Sequence, residues 1–196
     1  MRVRIVLLGA LTVTLLIWAA VLWAGGTYDR RAWLPDWADA DHNCRDTRTE
    51  VLMREQAFTA SAYSNREQVP LALSPEGCRV VAGTWLDPYT REVFTDPGAL
   101  DIDHVVPLGY AEAYGGRFWP VEKKRAFANW LGYRRALRAV SASANRQKGA
   151  RGPGAWVPRK EAWCEYAESF AATAWAWGLS GSVKDREAVK VMLETC

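Results

Sequence analysis

Two short runs hold the residue types that hydrolytic chemistry needs. Asp101-Ile102-Asp103-His104 sets carboxylates beside one of only two imidazoles in the chain, and Asn145-Arg146-Gln147-Lys148 adds a carboxamide and an ammonium downstream. A carboxylate or carboxamide oxygen is a hard ligand for an ion such as Mg²⁺, an imidazole accepts a proton from water, and a lysine meets phosphate as a point charge. Together these are the parts of metal-assisted phosphodiester hydrolysis. Neighbours on a regular strand face opposite ways, so Asp103 and His104 serve one site only at an irregular strand end, which Pro107 provides. Asp101 reads as a second carboxylate near the metal or as a strand-edge residue, His42 as a surface histidine and Asp87 as a turn residue.

The elements that must position these groups are mixed α and β. Asp46 caps a run of helix formers and predicts a helix over 46–57. The β-branched and aromatic stretch 78–86, the turn Asp87-Pro88-Tyr89-Thr90 and the return 91–95 predict a hairpin. Ile102 to Val106 is a short strand that Pro107 ends, and Pro120 to Trp130 is a helix expected to pack on the hairpin. Leu137 to Val140 is a strand leading into a Ser141–Gly149 loop. Glu161 to Leu179 is an aromatic-rich helix, and Ser182 with Asp185 forms a capping box that opens a last helix to about Glu194. The 11 tryptophans are core or interface residues by default, since most fall in these helices.

Residues 1–26 stand apart. Arg2 and Arg4 precede an uncharged apolar run from Ile5 to Ala24 that ends in Gly25-Gly26, which is a membrane-directed segment, either an uncleaved anchor or a removed signal peptide. Residues 27–43 lack periodicity and read as a linker, leaving 44–196 as one domain outside the cytoplasm. Cys44, Cys78, Cys164 and Cys196 are an even set in an exported chain, which predicts two disulfides. Cys44–Cys78 and Cys164–Cys196 is the favoured pairing, because each bond closes one local layer. No Cys-x-x-Cys pair or Cys/His cluster offers zinc-ligand spacing.

The net charge of +3 conceals an asymmetry. Residues 117–160 hold 8 Arg and 4 Lys against the single acid Glu122, a local excess of +11 that leaves the remainder at −8. Such a block predicts contact with a polyanion such as nucleic acid, with Arg146, Lys148 and Arg151 the phosphate contacts nearest the motif.

Asp103-His104-Val105-Val106-Pro107-Leu108, Phe127-Ala128-Asn129, Leu137 to Gly149 and Trp156-Val157-Pro158 together resemble HNH-family endonucleases. The resemblance is to the exported bacterial branch related to the C-terminal nuclease domain of GmrSD-type restriction enzymes. Cys44, Asp46-Thr47-Arg48, Gly77-Cys78, Asp87-Pro88-Tyr89-Thr90, Cys164-Glu165-Tyr166 and Cys196 extend it over about residues 44–196. It implies an α+β fold with a ββα-metal core, surrounding helices and disulfide staples, following the N-terminal transmembrane or signal segment. It also implies His104 as general base, Asp103 and Asn145 as metal ligands, and Lys148 at the phosphate. The middle asparagine of the HNH pattern, which in the family braces the His-bearing loop, falls here on Ala136; Arg134 or Arg135 is the substitute at hand.

The function expected is an exported or membrane-tethered endonuclease acting on DNA and by extension RNA, with a divalent ion. Oxygen ligands favour Mg²⁺ or Mn²⁺, while an imidazole ligand would favour Zn²⁺. Two rivals stand beside it: a cell-surface nucleic-acid-binding module with a decayed catalytic site, and a disulfide-stapled structural protein of the envelope. No sequence-readout motif and no feature implying a protein partner is visible.

Overall fold

Two antiparallel strands form the centre of the structure: β5 (Leu100–His104) and β6 (Leu137–Ser141), in register from Leu100 opposite Ser141 to His104 opposite Leu137. The coordinates come from a computed structural model, which describes residues 27–59 and 69–196. The expected anchor or signal segment 1–26 lies outside the described residues; among those described, no helix is long and apolar enough to cross a membrane.

Strand periodicity sorts the pair into two faces. Leu100, Ile102, Leu137 and Ala139 lie on one face and pack with Val51 and Leu52 of α2 (Thr47–Thr59) and with Trp85. Asp101, Asp103, Arg138 and Val140 alternate with them on the other face. There α5 (Ala142–Lys148) packs against both strands, begun by the Ser141 hydroxyl accepting from the Ala144 N–H and ended at Gly149, whose φ of 55° suits glycine. The segment expected as a loop is therefore the last strand residue and a two-turn helix.

A two-stranded sheet has exposed edges that invite foreign pairing. The outer edge of β6 is closed by side chains: Arg54 donates to the Leu137 carbonyl, the Ala139 N–H donates to Glu55 and the Ser141 N–H donates to Asp87, each at 2.9 Å.

Smaller pieces surround this centre. The stretch 78–86, expected as one strand, divides. β2 (Val80–Ala82) pairs with β1 (Ala72–Leu73), and β3 (Trp85–Leu86) pairs with β4 (Val93–Phe94) across the expected turn. After Pro107 come α3 (Leu108–Ala111) and a π-helical turn at Glu112–Gly116. Next is α4 (Val121–Ala128), which packs not on the hairpin but on α1 (Arg30–Trp33), with Phe127 edge-on to Trp33 and Trp177. α6 (Trp163–Ala176) and α7 (Val183–Leu193) pack as a pair, and the capping box of Ser182 and Asp185 opens α7 as expected.

The expected linker 27–43 is a packed part of the fold. Trp33 is fully buried, its indole N–H donates to Glu112 at 3.0 Å, and a Cβ on Gly116 would come within 2.5 Å of its ring. Asn129 accepts from the Ala38 N–H at 2.9 Å. The segment shows no periodicity because it is mostly irregular chain that docks through single large side chains. Both disulfides form as expected, Cys44–Cys78 and Cys164–Cys196, giving a mixed α+β fold with two staples.

Candidate functional site

His104 closes β5, and its ring is held by two contacts. Its Nε2 lies 2.8 Å from the Ala128 carbonyl, which only accepts, so Nε2 carries the proton and Nδ1 is the basic nitrogen of the neutral ring. Trp37 stacks on the imidazole, centroids 5.5 Å apart and planes within 10°. Burial drives its pKa down to about 3, against a smaller opposing effect of the Ala128 hydrogen bond. The ring is therefore neutral at pH 7, the state a general base requires.

The peptide that carries His104 is braced without the missing asparagine. The Val105 N–H donates to the backbone carbonyl of Ala136 at 3.0 Å, and Lys148 Nζ donates to the His104 carbonyl at 2.7 Å. A backbone oxygen at position 136 thus serves whatever side chain stands there. Arg135 is engaged elsewhere, with Glu165 and Glu168.

Lys148 corrects two expectations at once. It is fully buried, and its three donors meet Asp103 Oδ1 and Oδ2 at 2.8 Å and the His104 carbonyl, so it has none left to offer a phosphate. Asp103 is equally committed. Both its oxygens accept from Lys148, and Oδ2 also accepts from the Tyr89 hydroxyl at 2.7 Å. Burial raises the Asp103 pKa and lowers that of Lys148, each partly offset by the charge of the other, while burial holds Tyr89 well above its ordinary value as the donor. A divalent ion on Asp103 would lie beside an ammonium, which like-charge repulsion opposes. In this arrangement Asp103 and Lys148 are positioning residues that tie α5 to β5.

Asn145 points elsewhere: its amide Nδ2 donates to Asp101 Oδ2 at 2.9 Å, and both residues are partly exposed. Here a carboxylate and a carboxamide, both hard oxygen donors, meet at the surface between β5 and α5. By exposure and donor type this pair fits a divalent ion better than Asp103 does. Asp101 is thus the carboxylate that the structure joins to Asn145, whereas the sequence left it open between ligand and strand-edge residue. Among the described residues the other cluster of metal-binding types is Cys164, Glu168 and Cys196, and its thiols are spent in a disulfide.

The basic block 117–160 does not form one unpaired face. Acids from outside it neutralise several members: Glu112 binds Lys124, Glu55 and Glu165 bind Arg138, Glu165 and Glu168 bind Arg135, and Asp103 takes Lys148. Arg146 and Arg151 remain exposed on and just after α5, where Arg151 also donates to the Lys148 carbonyl at 3.0 Å.

Sequence reasoning missed Trp37, the Ala128 carbonyl and Tyr89 as partners of the site. Trp37 lies in the stretch taken for a linker and a backbone carbonyl has no sequence signal. Tyr89 was visible only as part of the Asp87–Thr90 turn.

The chain is 31% identical, over 163 residues, to a protein of Arthroderma benhamiae named an uncharacterized secreted protein; the match covers 83% of this chain and 72% of the relative. No family model matches. No solved structure matches either.

Proposed function

The chain belongs to the family of the secreted protein of Arthroderma benhamiae, and on that premise we propose that it is an exported, metal-dependent endonuclease hydrolysing phosphodiester bonds in DNA and by extension RNA. Export is supported by the relative's name, by two disulfides, which persist in oxidising compartments, and by the apolar run from Ile5 to Ala24. The fine fold assignment belongs to the same proposal: the succession β5, β6, α5 is similar to the ββα core of HNH nucleases.

The observation that carries the reading is the clamped, neutral His104 at the end of β5, three residues along that strand from Asp101, which Asn145 of α5 contacts. In the reaction proposed, Nδ1 of His104 takes a proton from water as the water oxygen forms a bond to phosphorus, and the bond to the 3′ oxygen breaks on the opposite side. The leaving oxygen takes a proton from solvent. Asp101 and Asn145 would hold the divalent ion, Mg²⁺ by donor type with Mn²⁺ or Zn²⁺ as alternatives, and its chemistry is to offset the negative charge that grows on the phosphoryl and leaving oxygens. A base with a pKa of about 3 is weak in the resting protein; a phosphodiester drawn against the ring strengthens it, because the imidazolium then has an anionic partner.

The second reading, a nucleic-acid-binding module without turnover, is favoured by one observation, the engagement of Asp103 with Lys148. A single assay separates them. The disulfide-intact protein is incubated with supercoiled plasmid and Mg²⁺, Mn²⁺, Zn²⁺ or EDTA, beside His104→Ala. Nicking that needs both the ion and His104 is expected, with a loss of at least 10²-fold in the variant. A folded protein that shifts DNA without cutting it, with any of the three ions, leaves the binding module.

A further inference from the structure

A cleft of about 260 Å³ opens beside β6, lined by Glu55, Arg91, Arg134, Arg135, Arg138 and Glu165 among others. Its wall carries four guanidinium groups, those of Arg91, Arg134, Arg135 and Arg138, and only two carboxylates, Glu55 and Glu165. Four segments distant in sequence converge to build it, Glu55 coming from α2. Arg91 comes from the β3–β4 turn, Arg134 and Arg135 from the approach to β6 with Arg138 within that strand, and Glu165 from α6.

The acids set the positions of two of the cations. Glu165 lies 3.6 Å from Arg135 and also pairs with Arg138, whose Nε stands 2.9 Å from Glu55. The wall thus holds four cations and two acids, and Glu168, which does not line it, also pairs with Arg135 at 3.1 Å. Arg91 and Arg134 keep contacts of their own; Arg134 is exposed, Arg91 is half-buried, and both line the cleft. Arg91 stands at φ 63°, a left-handed conformation that costs a residue with a Cβ roughly 1–2 kcal/mol, and the turn around Asp87 holds it there. The cleft shares Pro88, Arg138 and Glu165 with a smaller cavity that reaches Tyr89 and Val105, the residues touching Asp103 and following His104.

A planar guanidinium fork matches the oxygens of a phosphate better than any other cationic side chain, and several of them around one concavity select a multiply bonded anion over chloride. We propose that this cleft is a phosphate-binding subsite, which seats a backbone phosphate of a nucleic acid away from the bond under attack. The identity of the ligand as nucleic acid rests on the proposed function; the binding of phosphate does not.

The test uses the full, disulfide-intact protein with two probes, inorganic phosphate and a single-stranded oligodeoxynucleotide, and the variants Arg91→Gln/Arg134→Gln and Arg91→Lys/Arg134→Lys. Arg138 is left alone because its pairing with Glu55 and Glu165 supports β6. Calorimetric titration with phosphate against a chloride background is expected to show saturable binding that the glutamine pair weakens at least tenfold and the lysine pair partly restores. The slope of log affinity for the oligonucleotide against log salt is expected to fall by about 0.7 in the glutamine pair, the value for one single-strand phosphate contact. Phosphate binding that is absent in the wild type, or unchanged in the glutamine pair, overturns the subsite whatever the plasmid assay shows. Phosphate binding lost in the glutamine pair, in a protein that never cuts plasmid, keeps the subsite and overturns the nuclease.

Discussion

At the scale of single residues, His104 ties the proposed chemistry to stability. Its folded pKa of about 3 lies below the ~6.5 of an exposed histidine, so between these values the unfolded chain binds a proton that the folded chain excludes. Protonation therefore favours unfolding: the contribution of the neutral ring is complete above about pH 6.5 and is lost as pH falls towards 3. The slope approaches about 1.4 kcal/mol per pH unit for one such group. Urea unfolding at pH 7.5 and pH 5 is expected to show the wild type losing about 2 kcal/mol more than His104→Gln, which keeps a donor for the Ala128 carbonyl but does not titrate. Parallel losses in the two proteins would mean that the ring is open to protons, and the clamped-base argument would fall with it. The types at this site were legible in the sequence, because few side chains take protons near neutrality and the chain has only two histidines. Their partners were not: the sequence paired Asp103 with Asn145, whereas burial pairs Asp103 with Lys148 and leaves Asn145 to Asp101.

The element scale shows why that exchange occurs. α5 follows β6 without a loop and must lie back across the strand pair, which sends Lys148 from its last turn inward over Asp103. A lysine in such a helix reads as exposed from sequence, where an ammonium is assumed to find water; here the three acceptors that surround Nζ replace the water. The pair is the tether of α5 to β5, so Lys148→Met is expected to cost about 3–5 kcal/mol by leaving the Asp103 charge buried with only the Tyr89 hydroxyl. Lys148→Met with Asp103→Leu is expected to recover much of that loss, since two apolar groups replace a desolvated pair. If the double variant in urea unfolding is as unstable as the sum of the single ones, the two residues do not act on each other and the tether is wrong. Strands, capping boxes and the hairpin were legible because their signals are local. The edge of β6, closed by the neighbours Arg54 and Glu55 of α2 and by Asp87, two distant positions, had no local signal, nor did the docking of 27–43 through Trp33 and Trp37.

For the whole molecule, the two disulfides close loops of similar separation, 34 and 32 residues, yet they hold different things. By loop entropy each is worth about 3–4 kcal/mol, so stability alone does not distinguish them. Cys164–Cys196 joins the first turn of α6 to Cys196 beyond α7, the helix whose start is held by the Asp185 hub of Ser182, Tyr110 and Gly154. Cys44–Cys78 instead anchors the irregular segment whose Trp37 covers His104, and Cys44 itself sits at φ 69° in that segment. Opening the first bond should therefore weaken the fold without reaching the site, whereas opening the second should loosen the Trp37 ring that stacks on His104. The comparison uses Cys164→Ser/Cys196→Ser and Cys44→Ser/Cys78→Ser, each followed by thermal unfolding and by the proton NMR titration of the histidine ring. Both pairs are expected to lose stability by similar amounts, and only the Cys44/Cys78 pair is expected to move the His104 pKa upward from about 3 towards 6.5. An unmoved titration in both would place the cover over His104 in the packing of Trp37 alone, with the staple serving only to shrink the unfolded ensemble.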